Sequence, residues 1–312
     1  MLKIIVHNKF KNYTNQHRMP IKTHVLMTIS AIFVLGFLSC STIKNQVLVC
    51  GDSKVLLTNS PKLNDTIPEI IWSWDAHSAT NTPSSFNPEK FNTVDDCKAV
   101  NNGKQLLVSS SSGAVAIINK KNKKVIFCAD VPNAHSIELL PGNKLVAAAS
   151  TFENGNRLML FEIENPAKLL FSDSLYSAHG VVWDSNRNSL FALGYDVLRE
   201  YKLNNNKLSL QEEWKIPELG GHDLQMLPEG ENLFVTEHSG AWVFNIENKQ
   251  FKKINHFPDA KNIKSLSQNK DGRYIFTIPD ESWWTYHVKF YNPDGLLSFP
   301  DMHVYKARWF QK

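Results

Sequence analysis

The chain reads as an all-β protein, a six-bladed β-propeller closed on itself, and three observations lead there. Ala134-His135-Ser136-Ile137-Glu138-Leu139, Ala178-His179-Gly180-Val181-Val182-Trp183 and Gly221-His222-Asp223-Leu224-Gln225-Met226 each set a histidine before an alternating apolar run. From 135 to 179 and from 179 to 222 the steps are 44 and 43 residues, within the period of about 40 to 45 that marks one four-stranded blade. Beyond the N-terminal region, short β-rich runs alternate with Asn-, Gly- and Pro-rich turns, and helical periodicity of useful length is absent.

Residues 1–39 read as a lipoprotein-type export leader. An apolar run from Val25 to Leu38 follows Lys22 and His24 and ends in Leu38-Ser39-Cys40-Ser41. The run is too short for a membrane span of roughly 20 residues. A small residue before a cysteine, directly after such a run, resembles the bacterial lipoprotein signal, which implies lipidation at Cys40. Met19 is an alternative start, and residues 40–45 form a lipidated tether. The leader also carries five of the 34 basic residues and none of the 30 acidic ones, so the rest of the chain holds 29 against 30. The formal charge of +4 therefore belongs to the leader, and nucleic-acid binding, which needs clustered cations, loses its support.

The folded part spans 46–312. With 312 residues, 42% apolar and 21% charged, the chain can bury a full core. One domain is expected, because blades bury their faces only against neighbours. Gln46 to Cys50, Lys54 to Thr58 and Glu69 to Trp74 are predicted strands, one short of a blade. A polar loop, Asp75 to Thr93, follows. The first complete unit starts at Asp96, and further units run from His135, His179 and His222. The fifth begins near Lys264, because Lys270-Asp271-Gly272 repeats Pro228-Glu229-Gly230. The tail, His303-Val304-Tyr305-Lys306-Ala307-Arg308-Trp309, alternates like the innermost strands and should complete the three-stranded first blade, removing an open sheet edge. Besides Cys40 there are Cys50, Cys97 and Cys128. They lie in apolar runs without a CxxC pair and are expected to be buried thiols.

The lipoprotein leader, Gly220-Gly221-His222-Asp223-Leu224, His179-Gly180-Val181-Val182-Trp183-Asp184, Ala192-Leu193-Gly194 and the terminal Tyr305-Lys306-Ala307-Arg308-Trp309-Phe310 together resemble a family of uncharacterised secreted or lipoprotein six-bladed propellers of Bacteroidetes. The resemblance implies the fold and an envelope location, and it implies no activity. Ordinary WD-repeat proteins fit less well, since Trp183-Asp184 falls in the first strand of its unit.

In a propeller the first strand of each blade lines the central channel, so equivalent residues form a ring at one depth. The expected ring is Asp96, His135, His179, His222, Lys264 and His303, with Arg308 as a further channel donor. Three imidazoles from adjacent blades suit a divalent metal (Zn, Mn or Ca) held by His135, His179 and His222. Against this, the Lys264 ammonium would repel a cation. The alternative is a metal-free pocket holding a sugar carboxylate or another small polar anion, with an imidazole or Lys264 as a candidate catalytic group. Trp72, Trp74, Trp283 and Trp284 are candidate sugar-stacking faces, Tyr195 a channel donor, and Glu237, His238, Asp280 and Glu281 candidates for a channel mouth. No HExxH, GxSxG, GxxxxGK or GxGxxG string occurs, so zinc-protease, hydrolase and nucleotide-dependent readings have no motif. The expectation is a monomeric, lipid-anchored envelope protein of a Gram-negative bacterium, on its outer membrane, that binds a carbohydrate or small polar ligand. A polysaccharide lyase or hydrolase and a non-catalytic interaction scaffold are the alternatives, so enzymatic activity is left open.

Overall fold

The computed structural model describes residues 45–310 apart from 63–64 and 256–259, and only the backbone of 165–167. The leader and Cys40 lie outside the described residues. Six four-stranded antiparallel sheets make up the fold, and five of them run through consecutive strands from the innermost outward. The sixth joins Val304–Trp309 to the three N-terminal strands, with Val47 opposite Trp309 and Val49 opposite Ala307. That pairing is the ring closure expected from the alternating tail. Blade 1 is the mixed sheet, and blades 2 to 6 follow in chain order.

The six innermost strands are Val304–Trp309, Val94–Val100, Ala134–Leu140, Gly180–Asp184, Asp223–Met226 and Ser265–Gln268. Apolar side chains from the sheets pack between neighbouring blades as six clusters, one per interface. Leu48, Leu57, Leu106 and Ile118 join blades 1 and 2, and Val47, Val49, Ile275 and Val288 join blades 1 and 6. Ring closure therefore buries both faces of every sheet, which an isolated blade could not do. Gly180 shows how close this packing is: a Cβ there would come within 2.5 Å of Leu224 Cβ in the next blade.

The 76–93 stretch is a surface loop pinned to the core by Ala76 and Phe91. Two 3-10 turns, Ala76–Ser78 and Pro88–Phe91, are capped by Asp75 and Asn87. Phe91 is buried against Trp74 and Phe86. Trp74 is thus a core residue, while Trp72 donates its indole N–H to the Lys120 carbonyl at 2.9 Å. Neither offers a sugar face. Cys50, Cys97 and Cys128 are free and buried.

Candidate functional site

Two features aim side chains at one channel mouth. In blades 1, 2 and 3 the innermost strand carries a bulge that leaves Tyr305, Asp95 and His135 unpaired against the neighbouring strand. Bulges bend a strand and re-aim the extra side chain. In blades 4, 5 and 6, His179, His222 and Lys264 stand just before the strand, with their N–H groups bonded to the carbonyls of Leu193, Thr236 and Thr277. The ring is therefore Tyr305, Asp95, His135, His179, His222 and Lys264, one residue per blade. It lines a cavity of about 430 Å³ that Tyr195, His238, Trp283 and Trp284 also border.

Two expected members are displaced. The turn after the innermost strand holds residues 101–104 in blade 2 but only 141–143 in blade 3, so alignment on the turn places Asp96 one residue late, and Asp95 occupies the slot. His303 precedes its strand, is exposed, and pairs with Asp52 at 3.0 Å. The bulge at Tyr305 puts that tyrosine in the slot instead. Arg308 is deeper in the channel and does not reach this mouth. Asp280 caps a turn, contacting Thr285, Tyr286 and His287. Glu237 is buried by Ser239 and Trp242.

Four imidazoles follow one another around the mouth. His135 and His179 ring centroids are 4.3 Å apart, His179 and His222 5.8 Å, and His222 and His238 4.8 Å. His135 Nδ1 lies 3.1 Å from the Asn133 carbonyl and His179 Nδ1 2.8 Å from the Ser177 carbonyl. A carbonyl only accepts, so both Nδ1 atoms carry the proton and both Nε2 atoms present a lone pair. His222 Nε2 faces the Lys264 ammonium at 3.0 Å and acts as its acceptor.

Burial keeps these rings neutral. It lowers His179 to about 3 despite the Ser177 carbonyl, lowers His135 well below the usual histidine range, and lowers His222 with the Lys264 charge adding to the effect. At neutral pH they are hydrogen-bond acceptors and poor bases. Burial, with Lys306 nearby, lowers Lys264 to about 8, so it is mostly protonated at pH 7. Burial raises Asp95 to about 7, against the hydrogen bonds from Ser111 and the attraction of Lys306.

Beneath the mouth the channel is filled by an ion network. Arg308 donates to Asp96 at 2.8 Å through Nε and to Asp223 at 2.6 and 3.0 Å through its two terminal nitrogens. Lys306 Nζ lies 3.1 Å from Asp223 and donates to the carbonyls of His135 and His222, each at 3.4 Å. Lys98 pairs with Glu138 at 3.1 Å. Burial would raise the Asp96 and Asp223 carboxyls, but Arg308 and Lys306 overcome it and hold both below the usual range. These groups satisfy one another and seal the channel.

A divalent cation does not suit this donor set. The Lys264 ammonium engages His222 Nε2 and brings a like charge to the spot where a third imidazole would have to coordinate. Among the described residues no group of three or more His, Cys, Asp or Glu is arranged to hold a metal. The chemistry on offer is a buried cation, two imidazole acceptors, aromatic faces and one carboxyl that titrates near neutrality.

Fold and site together define a six-bladed β-propeller with one sealed channel and one histidine-lined, lysine-bearing mouth. The chain belongs to the family described as "Family of unknown function (DUF6528)", whose model matches residues 55–312. No curated protein matches it. Among solved structures it is similar to a protein of unknown function from Bacteroides caccae, with a TM-score of 0.57 and 12% identity, over 86% of this chain and 100% of that one. At that identity the likeness speaks for the fold alone.

Proposed function

We propose that the mouth is a binding site for a small hydroxylated anion, with a sugar carboxylate as the ligand class. One observation carries this reading. Lys264 is only 2% exposed, yet it pairs with no carboxylate within ion-pairing distance among the described residues, and its polar neighbour is a neutral imidazole. A buried charge held only by an imidazole and an indole ring is costly, and an anion entering the cavity would offset that cost. The Nε2 lone pairs of His135 and His179 suit hydroxyl donors, and Trp283, whose ring centre is 5.4 Å from Lys264 Nζ, offers a flat apolar face.

Titrating the protein with galacturonate, glucuronate and mannuronate beside the matching neutral sugars, and following tryptophan fluorescence and heat, tests this. A uronate is expected to bind and its neutral counterpart to bind far more weakly. Lys264→Met should weaken uronate binding about 10- to 100-fold, the loss of one charge-assisted hydrogen bond in a dry site. Uronates that all fail to bind, or that bind Lys264→Met equally well while its fold is intact by circular dichroism, would refute the proposal.

A further inference from the structure

Four large apolar residues stand out of the surface beside this mouth: Phe152, 66% exposed, Tyr176, 60%, Leu219, 57%, and Trp283, 62%. Each belongs to the loops that build the cavity. Phe152 follows Thr151, Tyr176 precedes Ser177 and Leu219 precedes Gly220, and all three of those neighbours line the cavity, as Trp283 itself does. The Tyr176 ring packs 5.5 Å from that of Tyr195, which is another lining residue. Single exposed apolar residues need no explanation, but a set gathered around one polar pocket marks a contact surface. Of the described large hydrophobics more than half exposed, only Ile67 lies elsewhere, by a groove between the outer strands of blades 1 and 6.

We infer that the mouth takes one unit of an acidic oligosaccharide, and that the neighbouring sugar units lie on the apolar rim. This deepens the reading of the mouth as a sugar-acid site and rests on it. The cavity, about 430 Å³, is at the small end of the range of about 300–1,000 Å³ for ligand pockets, so a longer chain must run out across its edge. Three of the four rim residues are aromatic, and flat rings match the C–H faces of pyranose units while their exposed edges leave the sugar hydroxyls hydrated. Glu153, Glu218 and Glu281 stand exposed beside Phe152, Leu219 and Trp283, so the oligosaccharide is held on the rim by its C–H faces and its other carboxylates must point away from the surface. Successive carboxylates would stay in water while the first is drawn to Lys264.

Calorimetry with each uronate and its tetramer, on the unmodified protein and on Phe152→Ser and Tyr176→Ser, separates the possibilities. Both substituted residues are exposed, so the variants should fold. The tetramer of the bound uronate is expected to bind at least tenfold more tightly than the monomer. Each substitution should reduce tetramer affinity about three- to tenfold and leave monomer affinity unchanged. Monomer and tetramer binding equally, with both substitutions silent, would overturn the inference while leaving the monomer site standing, and would give the rim to a protein partner instead. If no monomer and no tetramer binds, the reading of the mouth fails and this inference fails with it.

Discussion

Asp95 sets the pH behaviour of the mouth. Its carboxyl is raised from 3.8 to about 7 by burial, so the folded state holds a proton that the unfolded chain releases above about pH 4. Stability is therefore lost as pH rises through that interval. The histidines act with the opposite sign. His179, lowered to about 3, and its neighbours His135 and His222, also lowered, bind protons in the unfolded chain that the folded state refuses, so stability is lost as pH falls below about 6.5. Asp95→Asn should raise the melting temperature at pH 8 and change it little at pH 4.5. A scanning calorimeter shows the difference directly, and an equal shift at both values would rule this account out. Uronate affinity should also fall between pH 6.5 and 8.5, as Asp95 gains a negative charge and Lys264, at about 8, loses its positive one.

At the scale of the element, the innermost strand does two jobs by alternation. In Asp96-Cys97-Lys98, Asp223-Leu224-Gln225 and Lys306-Ala307-Arg308 the middle residue packs between blades and the flanking ones face the channel. Period-two patterning made these strands legible in the sequence, and the steps of 44 and 43 residues between His135, His179 and His222 made the blade boundaries and three ring histidines legible. Asp95 was not legible as a ring member because the turn after its strand is one residue longer than that of blade 3, and Tyr305 was not because a bulge puts it, and not His303, in the slot. Nor was the ion network. Its partners come from different blades, and only the recurrence of charges two apart in otherwise apolar strands hinted at a shared interior. The network predicts a large penalty for Arg308→Met, which strands the Asp96 and Asp223 carboxylates. Breaking a buried ion pair costs about 3–5 kcal/mol. Urea unfolding should show a loss of that size, and the triple variant with Asp96→Asn and Asp223→Asn should recover part of it. A loss below about 1 kcal/mol would mean that the carboxylates find other partners.

For the whole molecule, circular closure brings residues 135, 179, 222, 264 and 305 to one place, although no two are closer than 41 positions in sequence. The pairing of Val304–Trp309 with the N-terminal strand makes the last strand and the first three a single sheet, so the site depends on both ends of the folded chain. Sealing by Arg308, Asp96, Asp223 and Lys306 turns a channel into a blind pocket with one entrance for ligand. A crystal structure of the protein soaked with its best-binding uronate is the most direct test. The carboxylate should lie about 3 Å from Lys264 Nζ, with hydroxyls on the Nε2 atoms of His135 and His179. A uronate bound with its carboxylate away from Lys264, or on another surface while the mouth holds only solvent, would contradict the account.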